Sequence, residues 1–194
     1  MSRQIVVVQG HPDPTERHLC HALADAYAQA ATAAGHDVAR IDVAQLDFPV
    51  LRSPAEFENA PAPPSLMEAQ EALERAQHYV FVFPLWLGTL PALLKAFLEQ
   101  IFRPGFAFDR RGSGFPHKRL RGRSARIVVT MGMPALIYRW FFGAHGVRFL
   151  ERSVLGFSGL GPIRRTLFGG VGNAGEAQRQ RWVERMREAG RRGD

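Results

Sequence analysis

Three short runs of β-branched and aromatic residues constrain this chain more than anything else in it: Ile5-Val6-Val7-Val8, Tyr79-Val80-Phe81-Val82-Phe83 and Ile127-Val128-Val129-Thr130. Each is too short for a core helix and carries no polar face, which is the pattern of a strand buried on both sides. Each also stops at a loop rich in glycine and proline: Gly10-His11-Pro12-Asp13-Pro14, Pro84 to Thr89, and Met131-Gly132-Met133-Pro134. A helix-period pattern resumes after every one of them. His36 to Asp42 and Ile163 to Phe168 supply two less apolar strands. Alternating strand and helix, joined by right-handed crossovers, gives an α/β fold with a parallel sheet and helices on both faces. A strand order of 2-1-3-4-5 would bring the loops after the first, third and fourth strands around one crevice, where a planar, phosphate-bearing ligand fits.

The connections are expected to behave as follows. Thr15 caps a helix that Gly35 terminates. Val43 to Pro64, rich in proline and acidic residues, has no period and is irregular, and Ser65 caps the short helix that follows. Gly143 and Gly146 break the aromatic stretch from Ala135 to Phe157 into two helical pieces, and Asn173 caps a charged helix running through Ala189.

A chain of 194 residues suits one domain, 1–194, with one well-formed core. No apolar run approaches the roughly 18 residues of a membrane span. Strand-like sequence by Ile5 leaves no room for a signal peptide, so a cytoplasmic protein without membrane insertion is expected. The single cysteine, Cys20, excludes an intramolecular disulfide, and no Cys/His cluster has metal-ligand spacing. The net charge of +7 comes mostly from residues 109–126, where seven basic residues face the one acidic Asp109. Such a loop attracts an anionic partner, but no stacking motif, helix-turn-helix or zinc spacing accompanies it, and nucleic acid is not expected.

Each candidate site residue has two readings. The turn from Gly10 to Thr15 offers amides at a helix N-terminus, either as an anion site or merely as a cap. His11 and His18 either donate to that anion or are solvated turn residues. The Pro84 to Thr89 loop, with Trp86 and Leu87, either recognises a flat ring through its main chain or packs on a helix or a partner subunit. Tyr138 and His145 either stabilise charge on a bound ring or belong to an aromatic core or dimer surface. Cys20 reads as a small buried apolar residue, with nothing to lower its pKa.

Taken together, Gly10-His11-Pro12-Asp13-Pro14, Phe83-Pro84-Leu85-Trp86 with Pro91-Ala92-Leu93-Leu94-Lys95 and Pro104-Gly105-Phe106-Ala107-Phe108, and Thr130-Met131-Gly132-Met133 resemble three blocks of the flavodoxin-like NAD(P)H:quinone oxidoreductase family. The blocks occur in the family's order. The resemblance implies a flavodoxin-like three-layer sandwich, a bound flavin (FMN or FAD), NAD(P)H as co-substrate, a quinone or similar small acceptor, ping-pong hydride transfer and a homodimer. It places His11, Thr15, His18, Leu19 and Cys20 around the flavin phosphate. Pro84, Leu85, Trp86 and Leu87 would face the ring, with Thr130, Met131, Gly132 and Met133 on its other edge, and Tyr138 and His145 as catalytic residues. Two departures stand out. His18-Leu19-Cys20 replaces the family's Ser-Phe-Asn or Ser-Leu-Asn triplet, and Met133 replaces the second of two adjacent glycines. The alternatives are a flavodoxin-type electron carrier, against which the positive charge argues, and an ancillary subunit of a membrane transport system docking through the basic loop.

Overall fold

The computed structural model describes residues 2–109 and 116–194. Its elements run β1 (Gln4–Gln9), α1 (Leu19–Ala33), β2 (Asp37–Asp42), α2 (Pro54–Asn59), α3 (Met67–Arg75), β3 (His78–Pro84), α4 (Ala92–Ile101), β4 (Phe108–Asp109), β5 (His117–Lys118), β6 (Ser124–Met131), α5 (Ala135–Trp140), α6 (His145–Phe149), β7 (Ile163–Gly169) and α7 (Glu176–Arg192). The short β4 and β5 pair antiparallel with each other. The other five strands form one parallel sheet of order β2-β1-β3-β6-β7. This is the flavodoxin-like order 2-1-3-4-5 once the small pair is set aside.

Side chains that alternate along a strand point to opposite faces, and here both faces are covered. Ile5 and Val7 of β1, Val80 and Val82 of β3 and Val128 of β6 pack with α1 and α7. Val6 and Val8, Tyr79, Phe81 and Phe83, and Ile127 and Val129 pack on the other side with α3 and α4. Where α1 meets α7, Gly190 has no room for a side chain, because a Cβ there would lie 2.3 Å from the Tyr27 carbonyl oxygen. Among the described residues no helix is long and apolar enough to cross a membrane.

Several local expectations are corrected. The helix after β1 begins at Leu19 with His18 as its N-cap, and Thr15 hydrogen-bonds to Asp13 instead. Part of the stretch expected to be irregular is α2, capped by Ser53, whose hydroxyl oxygen accepts from the Glu56 amide. Ser65 lies inside a 3₁₀ turn, Pro64–Leu66, and caps nothing. Gly146 lies within α6, which continues into a π-helical segment, Leu150–Gly156. Gly175, not Asn173, precedes α7.

Four cations of the basic stretch make internal contacts, while Arg121 is exposed. Arg110 and Arg111 lie outside the described residues. Lys118 donates to the Gly156 carbonyl at 2.8 Å, Arg119 pairs with Asp109 at 3.1 Å, and Arg123 donates to the Leu73 carbonyl and the Tyr79 hydroxyl. Arg126 donates to the Thr166 hydroxyl and to Asp194. Arg123 and Arg126 therefore secure the sheet near the start of β6, and Lys118 and Arg119 tie down the β4–β5 pair.

His78, at the amino end of β3, is buried, with Nδ1 2.7 Å from the Ser124 hydroxyl and Nε2 without a partner. Burial first, then the positive field of Arg126 and Arg3, pushes its pKa down to about 3. The unfolded chain binds a proton near pH 6.5 that folded His78 refuses, so its contribution to stability is complete above about pH 6.5 and is lost as the pH falls toward 3. Urea unfolding should show stability declining over that window by up to about 1.4 kcal/mol per pH unit from this group. His78→Asn should make the decline shallower; an unchanged acid slope would show that His78 is not its source.

Candidate functional site

Strand β1 delivers the first wall. The Gly10 amide extends the sheet by donating to the Val82 carbonyl at 2.8 Å. A Cβ at Gly10 would lie 2.6 Å from the Leu94 Cδ2 methyl, so a larger residue would have to displace the Leu94 side chain. The His11 amide then donates to the Gln9 side-chain oxygen at 2.7 Å, and His11 Nδ1 accepts from the Asp13 amide at 3.2 Å. Asp13 accepts from the Thr15 amide and hydroxyl, and its other oxygen meets His18 Nε2 at 2.8 Å. These bonds, Thr15's hydroxyl first, hold the Asp13 carboxyl well below the usual carboxylate range. Asp13, Glu16 and His18 bring potential metal-ligand atoms within 4.8 Å of one another, but Thr15 and His18 already occupy both Asp13 oxygens. The group is a hydrogen-bonded turn.

A third histidine joins this turn. His21 sits three residues after the N-cap and accepts the His18 amide proton on Nδ1 at 3.0 Å, which is half of a capping box. The His11 ring stacks on His18 at 3.9 Å between centroids and lies 5.3 Å from His21. Burial lowers the pKa of His11 to about 4, helped by its two histidine neighbours, and burial likewise lowers that of His21. His21 becomes visible as a site residue only once His18, and not Thr15, is the N-cap three residues before it. Leu19 is half-buried beside it. Cys20 is buried, with Sγ 3.1 Å from the Thr130 hydroxyl, and burial pushes its thiol up to about 12. That thiol is no nucleophile; it ties α1 to β6.

Strand β3 delivers the second wall. The Leu85 amide donates to the Thr130 carbonyl at 2.7 Å, which joins this loop to the end of β6. Trp86 and Thr89 exchange main-chain hydrogen bonds at 2.9 and 3.0 Å, enclosing a two-residue turn. Leu87 and Gly88 both have positive φ, +48° and +79°, as a type I′ turn requires. Their amides take no hydrogen-bond acceptor among the described residues, and the Leu87 side chain is fully exposed. Pro84 and Leu85 are half-buried, and Trp86 stands edge-on 6.2 Å from the His11 ring, so the first two walls are contiguous.

The third wall follows β6. Thr130 and Met131 are buried, Met133 is half-buried, and Gly132 is exposed with nothing within 4 Å of where a Cβ would be. The Met133 carbonyl accepts from the Gly170 amide at 3.0 Å, which anchors this loop on the end of β7. Tyr138, on α5, is buried, and its hydroxyl donates to the Gly88 carbonyl at 3.1 Å while accepting the Val147 amide at 3.2 Å. Gly146 completes the clamp, since a Cβ there would lie 2.5 Å from the Gly88 oxygen. His145 is exposed at the start of α6, next to that contact. Beyond the site, α5 and the residues after it show solvent large apolar side chains: Leu136, Trp140 and Phe141 are 68%, 76% and 82% exposed, with the Arg139 guanidinium over the Trp140 ring.

The candidate residues thus lie at the carboxyl ends of β1, β3 and β6 or on α1, α5 and α6 beside them. The model of the flavodoxin-like fold family matches residues 3–189. An FMN-dependent NADH:quinone oxidoreductase of Nitratidesulfovibrio vulgaris (strain Hildenborough) is 31% identical over 198 residues, covering 89% of this chain and 91% of that protein. The ribosyldihydronicotinamide dehydrogenase (quinone) of Mus musculus is 28% identical over 133 residues; the match takes in 63% of this chain and 56% of that protein, so the chain spans little more than half of it. The solved NAD(P)H:quinone oxidoreductase from Methanothermobacter marburgensis superposes with a TM-score of 0.81 at 22% identity, covering 100% of both chains.

Two substitutions test the loop geometry in denaturant unfolding. Tyr138→Phe leaves the buried Val147 amide without its acceptor and should cost about 1–3 kcal/mol. Leu87→Gly removes the left-handed strain and should stabilise by up to about 1 kcal/mol, whereas β-branched Leu87→Val should destabilise. A Leu87→Gly protein less stable than the parent would contradict the turn described above.

Proposed function

The chain belongs to the flavodoxin-like fold family, and from that membership we propose that it is a flavin oxidoreductase, passing hydride from NAD(P)H through bound FMN to a quinone or similar small acceptor. The observation that carries this reading is that the turn after β1 and the loop after β3, which meet at His11 and Trp86, keep donors unspent. Among the described residues Gln9 Nε2 is buried without a partner, and the Leu87 and Gly88 amides have no acceptor. An oxygen- and nitrogen-rich planar ligand with a phosphate tail satisfies such a set; an apolar ligand does not. The relative from Nitratidesulfovibrio vulgaris, similar over most of its length, is named for FMN and NADH, which favours FMN over FAD and NADH as donor.

Flavin, when bound, supplies the two-electron chemistry. The Leu87 and Gly88 amides are neutral donors fixed in direction by their turn, suited to charge that develops on a ring edge. Tyr138 acts on that turn as a positioning residue, because both of its hydrogen bonds are made to main-chain groups. His145 is exposed beside the turn and is the group available to hold or pass a proton at an acceptor oxygen. Gly132 leaves space over the opposite edge, and Met133 narrows it. The exposed apolar face on α5 supports a homodimer in which a second copy closes the crevice against water. A cytoplasmic setting follows from the NAD(P)H it would use. Docking to a transport protein through the basic stretch is weakened as an alternative, since Lys118, Arg123 and Arg126 donate internally and Arg119 pairs with Asp109.

The purified protein should be yellow, release FMN on heating, bleach anaerobically with NADH and regain colour on addition of a quinone. It should elute as a dimer. A colourless protein that takes up neither FMN nor FAD would remove the proposal. His145→Ala should slow acceptor reduction while leaving FMN bound; an unchanged rate would take His145 out of the chemistry.

A further inference from the structure

We propose that the first-wall turn holds the flavin's phosphate monoester with neutral imidazoles: His11 and His21 each present Nε2–H to it, and neither gains a proton on binding. This rests on the flavin reading above and concerns how that site recognises its phosphate.

A neutral imidazole has one N–H and one lone pair, and whichever nitrogen accepts a hydrogen bond cannot carry the proton. His11 accepts the Asp13 amide on Nδ1, and His21 accepts the His18 amide on Nδ1. Both rings are thereby fixed as Nε2–H tautomers. Protonating either would set N–H against N–H and break the bond that shapes the turn. Neither Nε2 has a protein acceptor among the described residues, so each ring, half-buried His21 and 7% exposed His11 alike, keeps an N–H donor for a ligand. His18 differs, because its Nε2 is committed to Asp13 at 2.8 Å. The amides of Leu19 and Cys20, in the first turn of the 15-residue α1, have no acceptor either and add the positive end of the helix dipole.

The charges around these rings agree. His11 faces His18, His21 and Asp13, with the uncharged Gln9 and Trp86 as its other neighbours. His21 faces Asp42 at the end of β2, Asp25 on its own helix, and His18 and Arg17 from the turn. Burial outweighs the carboxylates in both cases, so both rings stay neutral at physiological pH. Arg17 is not free to serve as a counter-ion, since it pairs with Asp25. Negative charge on the ligand is therefore met by directed N–H groups and a helix terminus, with no full positive charge in contact.

A neutral donor can be replaced by another neutral donor, and a needed cation cannot. His21→Gln keeps an N–H donor near the position of Nε2, while His21→Leu keeps the bulk alone. With apo-protein titrated by flavin fluorescence quenching, His21→Gln should bind FMN within about threefold of the parent, and His21→Leu about ten- to hundredfold more weakly. Riboflavin, which lacks the phosphate, should bind all three proteins alike. Glutamine as weak as leucine would overturn the proposal, and so would a loss of riboflavin affinity matching that of FMN. The unmodified protein gives a second measurement. Calorimetry at pH 7.5, above the phosphate's second pKa of about 6, in two buffers of different ionisation enthalpy should show no proton uptake on FMN binding. Uptake approaching one proton would mean that a histidine charges, and would overturn the proposal while leaving the flavin reading intact. Failure of both flavins to bind the parent protein would remove both.

Discussion

A strand buried on both faces has nowhere along its length to put a polar group, and that constraint governs this molecule. In β1 every residue from Ile5 to Gln9 is buried, and in β3 every residue from His78 to Phe83. Chemistry is thereby confined to the strand ends, where the main chain leaves the ladder and its amides lose their partners. At the amino end this produces His78, silenced by burial. At the carboxyl end it produces three loops with donors to spare. The same hydrophobic packing that builds the sheet decides where a ligand can be held.

Three loops at one sheet edge do not make a site unless they move as one body, and the ties between them are few and specific. Leu85 donates across to Thr130, Cys20 reaches the Thr130 hydroxyl from α1, and Tyr138 holds Gly88 and Val147 together. One close approach demands glycine, Gly146 against the Gly88 carbonyl, and at Gly10 a side chain would have to push Leu94 aside. Leu87 stands out because it keeps a left-handed conformation without being glycine, with its side chain in water. An exposed leucine on a strained turn beside an apolar helix face is costly in a monomer and reasonable in an interface.

Much of this was legible in the sequence because the strongest signals were local. Ile5 to Val8 and Tyr79 to Phe83 can be little else than buried strands, and the loops after them carry glycine and proline where the chain must turn. What was not legible depended on competition between side chains. Thr15 looks like a helix cap, but Asp13 two residues earlier captures both its amide and its hydroxyl, so the helix waits until His18. Ser53 and Glu56 formed a readable capping pair that the surrounding prolines obscured. The basic stretch misled for a different reason. A count of charges cannot tell an arginine facing solvent from Arg126, which is almost fully buried and bonded to Thr166 and Asp194.

The position of the positive charge bears on selectivity. A protein of net charge +7 has cations to place around a phosphate, yet Arg17, which lies in the turn itself, is paired with Asp25, and Asp25 is shared with Arg40. A cluster of free cations would bind any phosphate in the cell, since the attraction between point charges has little directional preference. Neutral N–H groups at fixed positions give less attraction and more orientation. On the reading proposed above, the phosphate turn alone would hold a free phosphate weakly, and affinity would come from a ligand that reaches the Leu87–Gly88 turn at the same time. The turn and the ring loop would then select jointly for a flavin nucleotide, because only a molecule long enough to span from His21 to Gly88 satisfies both sets of donors.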